Sequence, residues 1–214
     1  DARNTISALE TFRPKTGTKV YADSGELLYT FSIEDRQLVP LSQIPLHVQK
    51  AFIATEDALF YSHKGVRIDA IISAIVYGLK TGRFRGGSTI TQQVVRNVEP
   101  LGVGQERTIK RKIREAIVAM QVEREFTKDE ILELYLNQVF LGINAYGVES
   151  AARQYFGKSV KDLTLGESAT LAGLTRAPNV NEPIHHLQNA IERRNIVLKQ
   201  MLDEGFITED EYKQ

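Results

Sequence analysis

Apolar residues in this chain recur mostly at the three- and four-residue intervals of an amphipathic helix, and strict alternation is confined to one early stretch. Residues 18–40 alternate and turn: Thr18-Lys19-Val20-Tyr21, then Asp23-Ser24-Gly25-Glu26, then Leu27-Leu28-Tyr29-Thr30-Phe31, with Val39-Pro40 closing. They predict a small β-hairpin. Val48, Phe52 and Ile53 predict a helix that opens at Ser42 or Pro45 and ends near Glu56. Ile68, Ile71, Ile72, Ile75, Val76 and Leu79 predict a strongly apolar helix over 67–79. Ile90, Val94 and Val98 form the buried stripe of a helix starting at Ser88, with Thr89 and Gln92 spaced as a capping box. The longest helical run, Gln105 to Phe126, carries Ile109, Ile113, Ala116, Ile117 and Met120 at the spacing of an inward face. Thr127-Lys128-Asp129-Glu130 caps a helix running to Asn137, and Gly142 to Gly147 predicts a turn. Val148–Phe156, Leu165–Leu174 and Ala190–Gly205 complete the helical set, with Pro178 and Pro183 in the loop between the last two. The fold class expected is mainly α with a small N-terminal β-hairpin; at 214 residues without repeats, a single domain over 1–214 suffices.

Composition narrows the chemistry. There is no cysteine, so disulfides and thiolate metal sites are excluded, and with four histidines any metal site would be built from imidazole and carboxylate. The chain starts at Asp1 and has no 18-residue apolar run, the expectation for a processed or excised piece. Formal charge is zero, yet residues 80–114 hold nine basic and two acidic side chains, a balance of +7 that the remainder offsets. One cationic segment in a neutral protein fits a locally held anionic ligand, not a nucleic-acid binder, although a solvated basic face has the same composition. Within it, residues 79–87 combine glycines with Arg83-Phe84-Arg85, predicting a mobile loop suited either to an anionic membrane surface or simply to solvent.

Two carboxylates stand out by their surroundings. Glu56 follows Phe52 by four residues and Ile53 by three, so it shares their inward face, the partly desolvated setting of a general base. Asp57 and His63 follow at once. Glu115 instead lines up with Arg107 and Arg111 at four-residue intervals, flanked by Lys112 and Arg114, and such an environment keeps a carboxylate charged. The helix start at Ser88-Thr89 follows Gly86-Gly87, so an anion could approach its free N–H groups, with Gln92 and Arg96, four apart, on another face. The Lys of a P-loop is missing.

Five patterns together resemble the peptidoglycan glycosyltransferases of glycosyltransferase family 51. They are Glu56-Asp57-x-x-Phe60-x-x-His63-x-Gly65, Gly86-Gly87-Ser88-Thr89-Ile90-Thr91-Gln92-Gln93, Arg111-Lys112-x-x-Glu115, Lys128-x-x-Ile131-Leu132-x-x-Tyr135-Leu136-Asn137 and Arg176-Ala177-Pro178, in family order. The resemblance implies a lysozyme-like, mainly α-helical fold that polymerises lipid II into β-1,4 glycan strands with inversion and release of undecaprenyl diphosphate. It implies Glu56 as the base for the acceptor 4-hydroxyl and Glu115 as the second carboxylate, near the donor diphosphate. Asp57, Phe60, His63, Ser88, Thr89, Gln92, Gln93, Arg96, Arg107, Lys112 and Arg114 are implied as substrate-binding. It further implies Mg2+ or Mn2+ with no organic cofactor, and no assignable metal ligands. The membrane surface is an implied partner, and the setting is the outer face of the bacterial cytoplasmic membrane. The tail from Glu192 to Thr208 resembles the bifunctional members, which continue into a transpeptidase domain, so the expectation is a trimmed domain lacking its anchor.

Family members commonly carry Lys where Arg96 stands, and Arg offers a planar fork instead of a point charge. Asn181-Glu182-Pro183 also lacks the aromatic or serine expected before that proline. Two rivals stay open at this point. A lysozyme-like hydrolase or lytic transglycosylase needs only a sugar cleft and leaves the +7 segment unexplained; a noncatalytic glycan- or membrane-binding module has no use for Glu56 on an apolar face.

Overall fold

A computed structural model describes residues 18–31, 35–67, 87–98 and 108–213. The apolar helix expected over 67–79 and the loop expected over 79–87 lie, except for Arg67 and Gly87, outside the described residues, as do the first residues of the long helix and Arg107. The chain divides into two compact units, one of Asp1–Phe12 with Glu56–Tyr135, the other of Arg13–Thr55 with Leu136–Gln214. Among the described residues the architecture is mainly helical, as expected.

In the unit holding Arg13–Thr55, strand β1 (Thr18–Tyr21) pairs antiparallel with β2 (Leu27–Phe31), Thr18 opposite Phe31 and Val20 opposite Tyr29. The hairpin is shorter than predicted. β3 (Asp35–Arg36) pairs instead in parallel with β4 (Ala145–Tyr146), inside the segment expected only to turn. A parallel partner 110 residues away (Asp35 opposite Ala145) leaves no local signal in two residues per strand. The helix α1 (Leu46–Glu56) opens at Pro45, whose carbonyl accepts from the N–H groups of Val48 and Gln49; Ser42 belongs to a single 3-10 turn, Leu41–Gln43, before it.

The rest of this unit is close to the periodic reading. α5 (Val148–Phe156) and α6 (Leu165–Leu174) have the predicted bounds, a short α7 (Pro178–Asn181) begins at the proline placed in a loop, and α8 spans Leu187–Asp203. A short α9 (Glu209–Lys213) follows, its start capped by Thr208 and Glu211. Leu171, Ala172, Val197 and Met201 are fully buried where α6 and α8 pack, each large aliphatic contributing about 1.5–3 kcal/mol. The turn before α5 runs through left-handed backbone at Ile143 (φ 42°) and Asn144 (φ 61°). Gly147 (φ 84°) is required there, since a Cβ would stand 2.7 Å from the Asn137 carbonyl oxygen. The Asn137 side chain in turn takes the Val39 N–H at 2.9 Å and donates to the Val39 carbonyl at 2.8 Å.

In the unit holding Glu56–Tyr135, α2 (Ile90–Asn97) packs against α3 (Ile109–Glu125), and α4 begins at Lys128 and runs to Gln138. Ile90, Val94 and Val98 are buried as predicted. The face of α3 is not. Ile113, Ile117 and Met120 are 57%, 47% and 42% exposed, while Glu115, Val118, Ala119 and Val122 turn inward. The apolar spacing predicts the inward stripe, but Glu115 finds two cations on its own helix and can therefore occupy a buried position that an unpaired carboxylate could not.

Candidate active site

The site is built in the Glu56–Tyr135 unit from the end of α1, the turn that follows, the start of α2 and the first half of α3. Glu56 is the last residue of α1 and is half-buried; Gln93 Nε2 donates to its Oε2 at 2.7 Å. Gln93 stands at the fourth position of α2, so a partner for Glu56 is delivered by the same helix start that the sequence marks with Gly87-Ser88-Thr89. Tyr135, fully buried in α4, lies within reach of the same charges. Burial raises its hydroxyl well above the ordinary value, Glu56 adds to the rise, Arg96 opposes it and Asp57 adds to it.

Asp57 is buried. Its Oδ2 accepts from His63 Nε2 at 2.8 Å and from the Ile90 backbone N–H at 3.1 Å. The Gly65 N–H donates to His63 Nδ1 at 3.2 Å, so the imidazole proton sits on Nε2, facing Asp57. The start of α2, expected as an open seat for a phosphate, therefore already holds an anion, the chain's own Asp57. Thr89 makes the predicted capping box with Gln92, and its hydroxyl donates to the Gly65 carbonyl at 2.6 Å. Gly65 itself has φ 86°, and a Cβ there would stand 2.7 Å from the Ala119 carbonyl oxygen, so α3 and the turn approach at backbone distance.

A cationic group adjoins this. Lys112 Nζ donates to Ser88 Oγ at 2.6 Å, and Lys112 and Arg111 both pair with Glu115, whose side chain is fully buried. Arg96, in the last turn of α2, is half-buried and Arg114 is exposed. Motif residues from three stretches thus form one hydrogen-bonded assembly, with Glu56 toward Gln93 and the cations toward Ser88.

Several residues expected to touch substrate are buried. Phe60, Thr89 and Gln92 are 0%, 2% and 0% exposed, so they support the site from beneath. Phe60 does this by packing: Lys128 Nζ lies 4.4 Å over its ring, and its N–H closes the turn on the Asp57 carbonyl at 2.8 Å. Sequence reasoning passed over Thr91 and Glu123. The Thr91 hydroxyl donates to Glu123 Oε1 at 2.5 Å, and Lys128 Nζ donates to the same oxygen at 2.7 Å. Glu123 lies among charges on α3, a position that reads as a solvated face until the fold brings Thr91 to it.

The family-implied cation can be tested against these donors. Among the described residues no group of three or more His, Asp or Glu side chains is placed to hold an ion, and both Glu115 oxygens are taken by Arg111 and Lys112. Among the described residues the protein's own side chains thus supply no three-ligand cage for Mg2+ or Mn2+.

The transglycosylase family model matches residues 24–202. Penicillin-binding protein 1A of Aquifex aeolicus is 47% identical over 207 residues, covering 96% of this chain and 28% of that protein. Penicillin-binding protein 1A of Escherichia coli is 46% identical over 210 residues, covering 98% and 24% respectively. The crystal structure of penicillin-binding protein 1A from Haemophilus influenzae aligns with a TM-score of 0.55 at 30% identity, over 94% of this chain and 20% of that one. The chain spans about a quarter of the length of the curated relatives it matches.

Proposed function

Because this chain belongs to the transglycosylase family, the peptidoglycan glycosyltransferases, we propose that it polymerises lipid II into β-1,4 glycan strands, with Glu56 as the general base. The observation that carries this reading is the double use of one helix start: Gln93 holds the Glu56 carboxylate while Ser88, five residues earlier, holds Lys112. The proposed base and the proposed diphosphate seat are thereby tied to one short stretch, Ser88–Gln93.

In this mechanism Glu56 accepts the proton of the acceptor sugar's 4-hydroxyl as that oxygen bonds to the donor's anomeric carbon. The bond from that carbon to the diphosphate oxygen breaks, its electron pair leaving with undecaprenyl diphosphate. Attack opposite the α-linked leaving group gives the β configuration. Lys112 and Arg111, joined by Arg96, Arg107 and Arg114, meet the charge that develops on the leaving group. Glu115 keeps Arg111 and Lys112 from collapsing onto other anions, and the Asp57–His63 pair holds the turn behind Glu56 in place.

For the longer protein, we propose a transpeptidase domain and work at the outer face of the bacterial cytoplasmic membrane, on the lipid-linked strand as it grows. Among the described residues no helix is long and apolar enough to cross a membrane. The direct test is incubation of the chain with lipid II: polymer accompanied by undecaprenyl diphosphate supports the proposal. Cleavage of preformed strands without polymer would favour a hydrolase, and neither product would leave a binding module.

A further inference from the structure

We infer that Glu123 and Lys128 form a clamp behind the site that positions Glu56 and Gln93 relative to each other, and that Thr91 is the point at which the clamp grips α2. The inference rests on the reading of Glu56 as the base.

Glu56 and Gln93 meet at 2.7 Å but come from segments 37 residues apart, so something must fix the separation of the two backbones. Lys128 links them, directly on one side and through Glu123 on the other. Its Nζ lies 4.4 Å over the ring of Phe60, which is fully buried and whose N–H closes the turn onto Asp57, the residue next to Glu56. The same Nζ donates at 2.7 Å to Glu123 Oε1, and that oxygen also accepts the hydroxyl of Thr91, fully buried in the first turn of α2 and two residues before Gln93. The path from Glu56 through Phe60, Lys128, Glu123 and Thr91 back to Gln93 is closed by the Gln93–Glu56 hydrogen bond.

The groups are suited to this task. The Glu123 side chain is 5% exposed and that of Lys128 is 19% exposed, so their attraction is little screened, and opening the pair would strand a charge in a poorly hydrated place. The Thr91 hydroxyl donates away from its own helix, which leaves the peptide hydrogen bonds of α2 intact. None of the three reaches a reacting atom. They are positioning residues, acting through Phe60 on one side and through α2 on the other.

A positioning role predicts loss of rate without loss of binding, since a base displaced by even about 1 Å can cost on the order of 10²-fold. Thr91→Val keeps shape and helix but removes the donor; we expect kcat for lipid II polymerisation to fall about tenfold at unchanged KM, with Thr91→Ser restoring it to within about twofold. Lys128→Met, which keeps the stem over Phe60 and removes the charge, should show the same split, and the double variant should lose less than the product of the two single effects. Where Thr91→Val fails to fold, Lys128→Met and Thr91→Ser carry the test. Unchanged kcat in folded Thr91→Val or Lys128→Met, a rise in KM that accounts for the loss, or no recovery in Thr91→Ser overturns the clamp while leaving Glu56 as the base. A parent chain that makes no polymer overturns the reading of Glu56, and the clamp with it.

Discussion

The two units bury glutamates for different ends, and the partners tell them apart. In the Arg13–Thr55 and Leu136–Gln214 unit, Glu149 accepts from Arg153 at 2.7 Å, from Ser159 Oγ at 3.0 Å and from the Val160 N–H at 2.7 Å, and Glu182 accepts the Ile184 and His185 N–H groups. Each has an oxygen on a backbone N–H that cannot move without the local chain moving, beside side-chain partners: Arg153 and Ser159 for Glu149, the His185 ring for Glu182. In the Glu56–Tyr135 unit, Glu115 is equally buried but bonds to the ends of Arg111 and Lys112, and Glu56 takes the amide of Gln93. Long side chains can swing toward a ligand; a backbone N–H cannot. Burial alone therefore marks no site here; what differs is that both Glu115 oxygens end on cations while Glu149 and Glu182 also hold backbone N–H groups.

Replacing Glu115 should break this contrast hardest, because its partners are the cations proposed to meet the donor diphosphate. Glu115→Gln leaves Arg111 and Lys112 without their anion, and we expect roughly 10²-fold lower turnover together with about 3 kcal/mol lower stability. Glu149→Gln sharpens the contrast from the other side. It should cost roughly 1–3 kcal/mol in a denaturant titration and leave turnover per folded molecule unchanged, since only local backbone and side-chain donors lose their acceptor.

A smaller effect is expected at Glu182, in its pH dependence. Burial alone would raise this carboxyl, but the His185 ring and the N–H groups of His185 and Ile184 outweigh it and hold the group below its ordinary 4.5. With the folded value depressed, its stabilisation is complete above the unfolded value and is lost as pH falls through the folded one. Thermal melts from about pH 6 down to about pH 3 should show Glu182→Gln with a flatter acid slope than the parent. The smallest stability change belongs to Arg114→Ala. Exposed charges contribute about 0–1 kcal/mol, so the melting curve should barely move while use of the lipid-diphosphate donor weakens severalfold.

Much of the fold was legible where one helix face carries the signal. Val148–Phe156 and Leu165–Leu174 could be bounded from apolar spacing and glycine or threonine stops, and the Thr89–Gln92 box announced the start of α2. Reading failed on α3 because a paired carboxylate can replace a hydrophobe inside, which exposes Ile113, Ile117 and Met120 at perfectly regular spacing. The β3–β4 pairing was illegible because its two strands share no neighbourhood in sequence. At the site, the motif residues were visible but not their division of labour. Phe60 and Gln92 lie beneath the surface, and Asp57 occupies the helix end that looked free for phosphate. Glu123 had no signal at all, since its meaning depends on a hydroxyl 32 residues away.

The account turns on Glu56 being the base and Glu149 being scaffold, and one paired measurement addresses both. Lipid II turnover per folded molecule and the thermal midpoint would be recorded side by side for the parent, Glu56→Gln and Glu149→Gln. Loss of a general base typically costs about 10²–10⁴ in rate, so Glu56→Gln should fall below about 1% of the parent at the parent's midpoint, with Glu149→Gln turning over normally at a lower midpoint. Glu56→Gln polymerising within a few-fold of the parent would contradict the central claim.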